Sequence, residues 1–338
     1  MKKVVVMTTG GTIAMKYDPV TQGLIPAVSG DDLIEAVPAL REIAEVEVVE
    51  FSNVPSGHIT PQMMFDLAKM ADRYAEREDV SGIVVTHGTD TLEETAYMLG
   101  LAVKTNKPVC LTGAMRGASE TGPDGPANIL AAVMVAASDE ALGKGALLIF
   151  NDEIHAAAEV TKTHTTSCAT FHSPGWGPIG DIYFDRVVFR RQPLNLEKIC
   201  PAVLAEDVCL LKTYAGMDVY LFKMLAEKPV QGLVVEALGC GNVPPAVKEG
   251  IEYVRSRDIP VVLASRVHTG RVVPAYSYFG SARSMEASKI ILGGELTGQK
   301  ARIKLMLALG LTKDNEELRR FFDNRAEFAV KWKTITNN

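Results

Sequence analysis

Short apolar runs that alternate with helix-forming segments are the feature that most restricts the folds open to this chain. In the first half these runs cover residues 4–7, 46–51, 82–86, 108–113 and 146–151. Each run is too short for a helix and is typical of a buried strand. Strands that alternate with helices predict a parallel sheet covered by helices on both faces. The first half is therefore predicted to be a doubly wound α/β domain.

The same alternation returns in the second half of the chain. Three more strands are predicted there, at residues 208–213, 232–237 and 260–264. Residues 160–180 are polar, β-branched and turn-rich, so they predict extended segments and loops. A chain of 338 residues is long for a single hydrophobic core. We therefore expect a larger N-terminal domain over residues 1–190, a linker over 191–212 and a smaller C-terminal α/β domain over 213–338.

Bulk composition argues against several classes of protein. The net charge of −6 and the pI near 5.6 argue against a nucleic-acid partner, which needs a basic surface. No stretch reaches the roughly 18 apolar residues of a membrane span. The basic start at residues 1–3 precedes only a short apolar stretch without a cleavage site. We expect a cytoplasmic protein, or a periplasmic or exported one whose signal was removed before residue 1. The scattered cysteines predict neither a disulfide framework nor a zinc site.

Polar residues follow the predicted strands at their carboxyl ends, the edge at which open α/β sheets bind ligands. The first strand ends in TTGGT at residues 8–12. The two glycines allow a tight turn and the close approach of a ligand, and they leave backbone N–H groups free for an oxyanion. The third strand ends in THGTDTLEE at residues 86–94, where Thr91 and Glu94 have the spacing of a capping box. Residues 15–31 lack periodicity and predict a lid or binding loop.

Taken singly, the polar residues at these strand ends have ordinary structural explanations. Thr12 can bond to a nearby carbonyl, Asp90 can cap a helix and His87 can be a buried neutral histidine. Lys162 is either a solvated charge on an edge strand or a buried amine. Together they supply a nucleophile, oxyanion donors, a carboxylate and a potential base.

No metal or cofactor is predicted. The spacing of His155, His164 and His172 matches no common set of metal ligands. A phosphate-binding turn at residues 8–12 is the rival interpretation of the glycine pair. It is weakened because the Gly-Lys-Ser/Thr and G-x-G-x-x-G signatures are missing.

Two segments resemble a known family closely. TGGTIA at residues 9–14 and IVVTHGTDTLEETA at residues 83–96 resemble the signature segments of the bacterial-type L-asparaginase and glutaminase-asparaginase family. The resemblance continues in order through residues 113–116, 124–126, 160–163, 169–171, 177–178, 265–267 and 299–302. It implies an enzyme that hydrolyses the side-chain amide of L-asparagine to L-aspartate and ammonia.

The resemblance implies a catalytic group in this chain. Thr12 would be the nucleophile that forms an acyl-enzyme. Thr89, Asp90 and Lys162 would form a hydrogen-bonded group that activates the attacking hydroxyl or water. A threonine hydroxyl needs such a group, because it is a poor nucleophile unless a neighbour accepts its proton. The family's mobile lid carries a tyrosine that assists the nucleophile. Tyr17 is the candidate for it, although its position is offset, and an exposed loop aromatic is the alternative.

The resemblance also implies a substrate site. Ser56 and Asp90 would bind the α-carboxylate and α-amino groups, and the backbone of Ala114 would contact the side-chain amide. The full set of predicted substrate-binding residues is Ser56, Gly57, Gly88, Thr89, Asp90, Ala114 and Asn242. Gly57 stands where well-studied periplasmic members have a glutamine, so a substrate contact is lost there.

Family members are tetramers whose active sites are closed by a partner's C-terminal domain. The resemblance therefore implies a homotetramer with shared sites. Asn242 matches the asparagine that the neighbouring subunit contributes. The neighbour's glutamate has no counterpart in residues 271–279, which contain no acid, and this leaves Tyr276 or Tyr278 as substitutes.

Three alternatives remain open. The chain could be a glutaminase-asparaginase that acts on both amides. It could be the amidotransferase subunit that releases ammonia from glutamine to amidate transfer-RNA-bound glutamate, although that subunit carries an extra N-terminal domain. It could also be a catalytically silent amino-acid-binding protein on the same scaffold, against which the intact Thr12, Thr89, Asp90 and Lys162 argue.

Overall fold

The computed structural model describes residues 1–26 and 29–323 of the chain. It contains two compact units, Met1–Glu206 and Asp207–Asn338. The predicted boundaries, with a linker over 191–212, stay a prediction. The last residues of that predicted linker, Val208–Lys212, form a strand.

Strands and helices alternate through most of the larger unit. Its strands are β1 (Lys2–Thr8), β2 (Met15–Asp18), β3 (Gly23–Pro26), β4 (Ala44–Glu50), β5 (Val80–Thr86), β6 (Val109–Thr112), β7 (Ala146–Phe150), β8 (Glu153–Ala156), β9 (Thr161–Lys162), β10 (Phe171–His172), β11 (Gly180–Ile182) and β12 (Val187–Phe189). Its α-helices are α1 (Gly30–Glu35), α2 (Leu40–Ile43), α3 (Pro61–Ala75), α4 (Leu92–Ala102) and α5 (Gly125–Ala136). Short 3₁₀ turns cover Thr12–Ala14, Ser56–His58 and Asp139–Ala141.

The main sheet of this unit has the strand order β12-β11-β8-β7-β6-β5-β1-β4. Strands β4, β1, β5, β6 and β7 run parallel, and β8, β11 and β12 extend the sheet antiparallel. Thr8 of β1 pairs with Glu50 of β4 and with Thr86 of β5, and Thr86 pairs with Thr112 of β6. The carboxyl ends of these four strands therefore lie level at one edge of the sheet.

The centre of this sheet is buried on both faces. Val4, Val5, Val6 and Met7 of β1 are all 0% exposed. Successive side chains of a strand point to opposite faces, so both faces must be covered. On one face Val4 and Val6 pack in a core with apolar residues of α5. Helices α3 and α4 also pack against strands of the sheet. The predicted doubly wound, mainly parallel architecture is confirmed.

The predicted loop over residues 15–31 contains more regular structure than expected. Strands β2 and β3 pair antiparallel, with Tyr17 opposite Leu24. Residues 27 and 28 lie outside the described residues. Ser29 then begins α1 with a capping box, in which its hydroxyl accepts the Asp32 N–H and the Asp32 carboxylate accepts the Ser29 N–H. The hairpin escaped prediction because its turn-rich, polar sequence shows no strand alternation.

The smaller unit contains a four-stranded parallel sheet in the order β13-β14-β15-β16. Its strands are β13 (Val208–Lys212), β14 (Gly232–Ala237), β15 (Val261–Ser265) and β16 (Ile291–Leu292), and its helices are α6 (Tyr220–Ala226), α7 (Pro245–Arg255), α8 (Ala282–Ala287), α9 (Gly298–Leu309) and α10 (Asn315–Phe322). Buried apolar residues such as Phe222, Leu233 and Ile251 form its core. The three strands predicted here are confirmed, whereas the two-residue β16 is too short to give a pattern.

None of the helices in the described part of the chain combines the length and the apolar composition that crossing a membrane requires.

Candidate active site

The loops that follow β1, β4 and β5 meet at the carboxyl edge of the sheet. A Cβ atom added to Gly11 would lie 2.3 Å from the Cα atom of Gly88, and one added to Gly88 would lie 2.8 Å from Ser56 Oγ. Gly11 also has a φ of 84°, a conformation that favours glycine. The half-buried Thr12 and the buried Thr89 therefore lie on two loops whose backbones touch.

Lys162 joins two side chains of the β5 loop. It lies on β9, and its Nζ atom donates hydrogen bonds to Thr89 Oγ1 at 3.0 Å and to Asp90 Oδ1 at 2.7 Å. The Lys162 side chain is 16% exposed, whereas the Asp90 side chain is 76% exposed. A half-exposed ion pair contributes little to stability. The group thus combines the Thr89 hydroxyl and the Lys162 amine with the Asp90 carboxylate, and the carboxylate is open to a ligand.

Ser56 ties the β4 loop to the β5 loop. Its Oγ atom accepts the Asp90 N–H at 3.2 Å, and its carbonyl accepts the Thr91 hydroxyl at 2.9 Å. Thr91 is the N-cap residue of α4, as the spacing predicts, but its hydroxyl makes no capping bond, so a capping box with Glu94 does not form. A Cβ atom built on Gly57 meets no atom within 4 Å, so open space lies beside Ser56.

The backbone N–H groups of the first turn are less available than expected. Gly11 N–H donates to the Val54 carbonyl at 3.1 Å, and Val54 N–H donates to the Thr9 carbonyl at 3.0 Å. The prediction of a free oxyanion donor is therefore wrong for Gly11, whose N–H docks the turn against the β4 loop. Thr89 N–H, in contrast, makes no hydrogen bond to any residue that the structure describes.

Asp124 and Asn128 hold the loop that carries the buried Ala114. The Asp124 carboxylate accepts the Met115 N–H at 3.0 Å, and Asn128 Nδ2 donates to the Gly113 carbonyl at 2.9 Å. Neither residue was predicted to have a role. The available signal was the segment at residues 124–128, DGPAN, in which polar side chains open a helix that is otherwise apolar.

Two further predicted site residues, Tyr17 and Asn242, have other surroundings. Tyr17 lies on β2 and is 54% exposed, and its hydroxyl bonds no residue of the described structure. Its N–H donates to Ser119 Oγ at 2.8 Å. Asn242 belongs to the smaller unit, in the loop after β14, and exchanges backbone hydrogen bonds with Leu238. The buried Oδ1 atom of Asn242 has no partner among the described residues.

The three histidines considered as metal ligands contact other residues of the larger unit. Within the described residues, no group of three His, Cys, Asp or Glu side chains could hold a metal ion. His164 Nδ1 accepts the N–H groups of Thr166 and Ser167 at 3.0 Å each. His155 and His172 flank the carboxylate of Glu153.

His87 is fully buried directly before the catalytic candidates of the β5 loop. Its Nδ1 atom lies 2.8 Å from the Gly88 carbonyl, and its Nε2 atom lies 2.9 Å from Thr95 Oγ1. A carbonyl oxygen only accepts, so Nδ1 carries the proton and Nε2 accepts the Thr95 hydroxyl. Burial lowers the pKa of His87 to about 4, although its bond to Gly88 opposes this. His87 is therefore a neutral residue that orients Gly88.

Acidification is expected to destabilise the larger unit through His87. The lowered pKa means that the unfolded chain binds this proton more readily, so stability falls as the pH drops from about 6.5 towards 4. Between pH 7 and pH 5 the loss is about 2 kcal/mol in the free energy of unfolding. Urea unfolding of the parent protein and of His87→Gln at pH 7 and pH 5 measures this loss. The exposed His58→Gln is the control, and an equal pH dependence in all three proteins would contradict the assignment.

Known proteins match both units of the chain. The family model described as Asparaginase, N-terminal, matches residues 3–195, and the one described as Glutaminase/Asparaginase C-terminal domain matches residues 207–322. L-asparaginase 2 of Bacillus subtilis (strain 168) is 36% identical over 326 residues, which cover 94% of this chain and 85% of the relative. A glutaminase-asparaginase of Pseudomonas aeruginosa is 32% identical over 334 residues, which cover 95% of this chain and 90% of the relative.

A solved structure matches as well. The crystal structure of a probable cytoplasmic L-asparaginase from Campylobacter jejuni has a TM-score of 0.85 and 33% sequence identity to this chain. The match covers 95% of this chain and 99% of that one. The two family models together span nearly all of the described residues. The chain therefore belongs to the bacterial-type L-asparaginase family.

Proposed function

We propose that this protein is an L-asparaginase, an amidohydrolase that converts L-asparagine to L-aspartate and ammonia through a threonine nucleophile and an acyl-enzyme. The observation that carries the proposal is the pair of hydrogen bonds from Lys162 to Thr89 and Asp90. These bonds join an amine, a hydroxyl and a carboxylate on a loop whose Gly88 meets Gly11, the neighbour of Thr12. Family membership supports the hydrolysis of a side-chain amide.

In the proposed first step, the Thr12 hydroxyl oxygen attacks the carbon of the substrate's side-chain amide. The hydroxyl proton passes to Thr89 Oγ1 as the Thr89 proton passes to Lys162 Nζ, 3.0 Å away, which accepts it as a neutral amine. The carbon–nitrogen bond then breaks. The nitrogen takes up a proton and leaves as ammonia, so an ester remains between Thr12 and the β-carboxyl group. The unpartnered Thr89 N–H is a donor for the developing oxyanion.

In the proposed second step, water hydrolyses this ester. Thr89 and Lys162 again accept the proton of the attacking oxygen, and the Thr12 hydroxyl is restored. The same pair serves both steps because the proton has to be removed from an attacking oxygen each time. The products are L-aspartate and the free enzyme, and no metal or cofactor takes part in the proposed reaction.

Substrate recognition rests on the exposed side of the same loops. The Asp90 carboxylate, 76% exposed, is free on one side to bind the α-ammonium group. Ser56 lies next to it and is proposed to bind the α-carboxylate. Gly88 allows these residues to approach the first turn. The Ala114 backbone, held by Asp124 and Asn128, is proposed to contact the amide.

Replacing Asp90 with alanine is expected to raise the KM for L-asparagine by roughly 10- to 100-fold and to lower kcat as well. The change removes the carboxylate partner of the α-ammonium group, and a hydrogen bond to a charged group is worth about 1.5–3 kcal/mol. Initial rates of ammonia release over a wide range of substrate concentrations measure both constants. Asp66→Ala, at an exposed site on α3, is the control. An unchanged KM in Asp90→Ala would show that the carboxylate has another role.

A glutaminase-asparaginase is the second candidate. The open space at Gly57 favours it, because a missing side chain beside Ser56 leaves room for a longer substrate. The Pseudomonas aeruginosa relative carries that name. The catalytic group would be the same for both amides, so only the substrate profile separates the two candidates.

Ammonia release from L-asparagine and from L-glutamine, measured separately with purified protein, tests the proposal. Fast release from asparagine with slow release from glutamine supports the asparaginase. Similar kcat/KM values for both substrates would favour the glutaminase-asparaginase. If neither substrate yields ammonia but aspartate still binds in calorimetry, the protein is a binding protein on this scaffold.

We also propose a cytoplasmic homotetramer. The Campylobacter jejuni structure is described as that of a probable cytoplasmic L-asparaginase. The unpartnered Oδ1 atom of Asn242 supports a shared site, since a neighbouring subunit's ligand would satisfy it. Tyr276 and Tyr278, whose ring centroids are 5.9 Å apart, are about half exposed and are proposed to replace the neighbour's glutamate. Light scattering of the purified protein tests the tetramer.

A further inference from the structure

A cluster of titratable side chains outside the proposed site joins the main sheet to the strand pair that carries Lys162. Glu153 Oε2, on β8, lies 3.1 Å from His155 Nε2 and 3.8 Å from His172 Nδ1. His155 Nδ1 lies 3.0 Å from Ser173 Oγ. His155 and Ser173 are buried, whereas Glu153 and His172 reach the surface. None of these residues takes part in the proposed chemistry.

The donors and acceptors of this cluster form a consistent chain. An ionised carboxylate only accepts, so His155 Nε2–H donates to Glu153. The Ser173 hydroxyl, 3.0 Å from His155 Nδ1, completes the chain. His172, when protonated, is attracted to the same carboxylate. Glu153 thus holds two consecutive residues: His172, the last residue of β10, directly, and Ser173 through His155.

The strand pair β9-β10 depends on such contacts for its position. Each strand has only two residues, and a two-stranded ribbon is marginally stable by itself. Phe171 pairs with Lys162 across the ribbon and packs against Phe150 of β7, with ring centroids 5.0 Å apart. The residues after Phe171 are those held by Glu153. The ribbon is therefore held against the main sheet immediately beside Phe171, the residue that pairs with Lys162.

We propose that Glu153 is a positioning residue for Lys162. By holding His172 and Ser173 through its two histidine contacts, it fixes β10, and the pairing of β10 with β9 fixes the Lys162 backbone. The distances from Lys162 Nζ to Thr89 and Asp90, 3.0 Å and 2.7 Å, depend on that backbone. A displacement of about 1 Å is enough to cost as much as 10²-fold in rate. This inference rests on the proposed function, in which Lys162 acts in catalysis.

A double-mutant cycle between Glu153 and Lys162 tests the inference. Glu153→Ala is expected to lower kcat/KM for L-asparagine by roughly 30-fold. In the Lys162→Met background the same change is expected to cost less than about 2-fold, because the residue it positions is gone. A general structural defect would instead produce similar losses in both backgrounds, and that result would overturn the proposal.

Glu153→Gln and Asp181→Asn are the matched variants. Glu153→Gln keeps the size of the side chain and an acceptor for His155 but removes the charge near His172, so it is expected to recover part of the lost activity. It also keeps the test valid if Glu153→Ala folds poorly. Asp181 lies on β11, opposite Glu153 of β8. Its carboxylate forms an ion pair with Arg190 at the surface instead of holding β10. Its asparagine variant is expected to stay within about 2-fold of the parent protein, and a loss equal to that of Glu153→Gln would contradict the proposal.

Hydrogen exchange supplies a readout that does not depend on activity. The Thr163 N–H donates to the Thr170 carbonyl at 2.7 Å, which closes the ribbon. Glu153→Ala is expected to speed exchange of amides in residues 161–172 while β1 and β5 keep their protection. Unchanged exchange would overturn the proposal. If the parent protein releases no ammonia, the proposed function fails, and exchange still decides whether Glu153 positions the ribbon.

Discussion

Replacing Thr12 with alanine is expected to lower the kcat of ammonia release from L-asparagine by roughly 10⁴-fold or more. The change removes the oxygen that is proposed to attack the amide, and loss of a nucleophile removes most of the catalysis that depends on it. The fold is expected to survive, because Thr12 is only half-buried in a turn held by backbone hydrogen bonds of Gly11 and Ala14. Circular dichroism and thermal unfolding check that the variant is folded.

The covalent intermediate gives this prediction a direct test. Acid quenching of the parent protein during turnover, followed by peptide mass spectrometry, is expected to find an acyl adduct on the peptide that contains Thr12. Thr12→Ala is expected to form none. Thr12→Ser keeps a hydroxyl and is expected to retain measurable turnover, which makes it the matched control. Turnover by Thr12→Ala within tenfold of the parent would exclude Thr12 as the nucleophile.

The central strands of both units could be predicted because they are buried on both faces. Burial of every residue of β1 from Val4 to Met7 produces a continuous apolar run that the sequence displays directly. Strands β8 to β12 have two to four residues, and several of these residues are partly exposed. Their pairing depends on neighbouring strands, so no local pattern marks them.

Two hydrogen bonds in the site differ from local expectation for a common reason. The spacing of Thr91 and Glu94 is that of a capping box, and Gly11 was expected to keep a free N–H group. In the structure Thr91 donates to Ser56 and Gly11 donates to Val54, residues of the loop after β4. Local rules assume that a polar group finds its partner nearby in sequence. Where several strand ends meet, groups from distant segments compete for the same donors.

The strand-end position of Thr12, Thr89 and Asp90 followed from the parallel sheet, but the position of Lys162 did not. Lys162 lies 73 residues from Thr89 along the chain and reaches it from an antiparallel ribbon. Its backbone position depends on the packing of Phe171 and on the contacts of Glu153, which spacing along the sequence does not reveal. The residue types alone suggested Lys162 as a potential base, but only the resemblance to a family implied that it is hydrogen-bonded to Thr89 and Asp90.

Replacing Lys162 with methionine is expected to lower kcat by roughly 10³-fold. Methionine keeps the length and the apolar stem of lysine but removes the amine that is proposed to take protons from both attacking oxygens. It also removes the hydrogen bond that Lys162 Nζ donates to Asp90 Oδ1. Lys107→Met is the matched control. Lys107 is another half-buried lysine, just before β6, and its Nζ atom donates a hydrogen bond to the Arg77 carbonyl. That control is expected to lose some stability and to keep its kcat.

Lys162→Arg separates the charge of the side chain from its proton transfer. Arginine keeps a positive charge and can donate hydrogen bonds to Thr89 and Asp90, but it does not give up its proton in proteins and so cannot act as a base. If Lys162 relays protons, Lys162→Arg stays as slow as Lys162→Met in steady-state ammonia release. Recovery of the arginine variant to within tenfold of the parent would mean that Lys162 acts through its charge alone, and the proton would then have to leave Thr12 by another route.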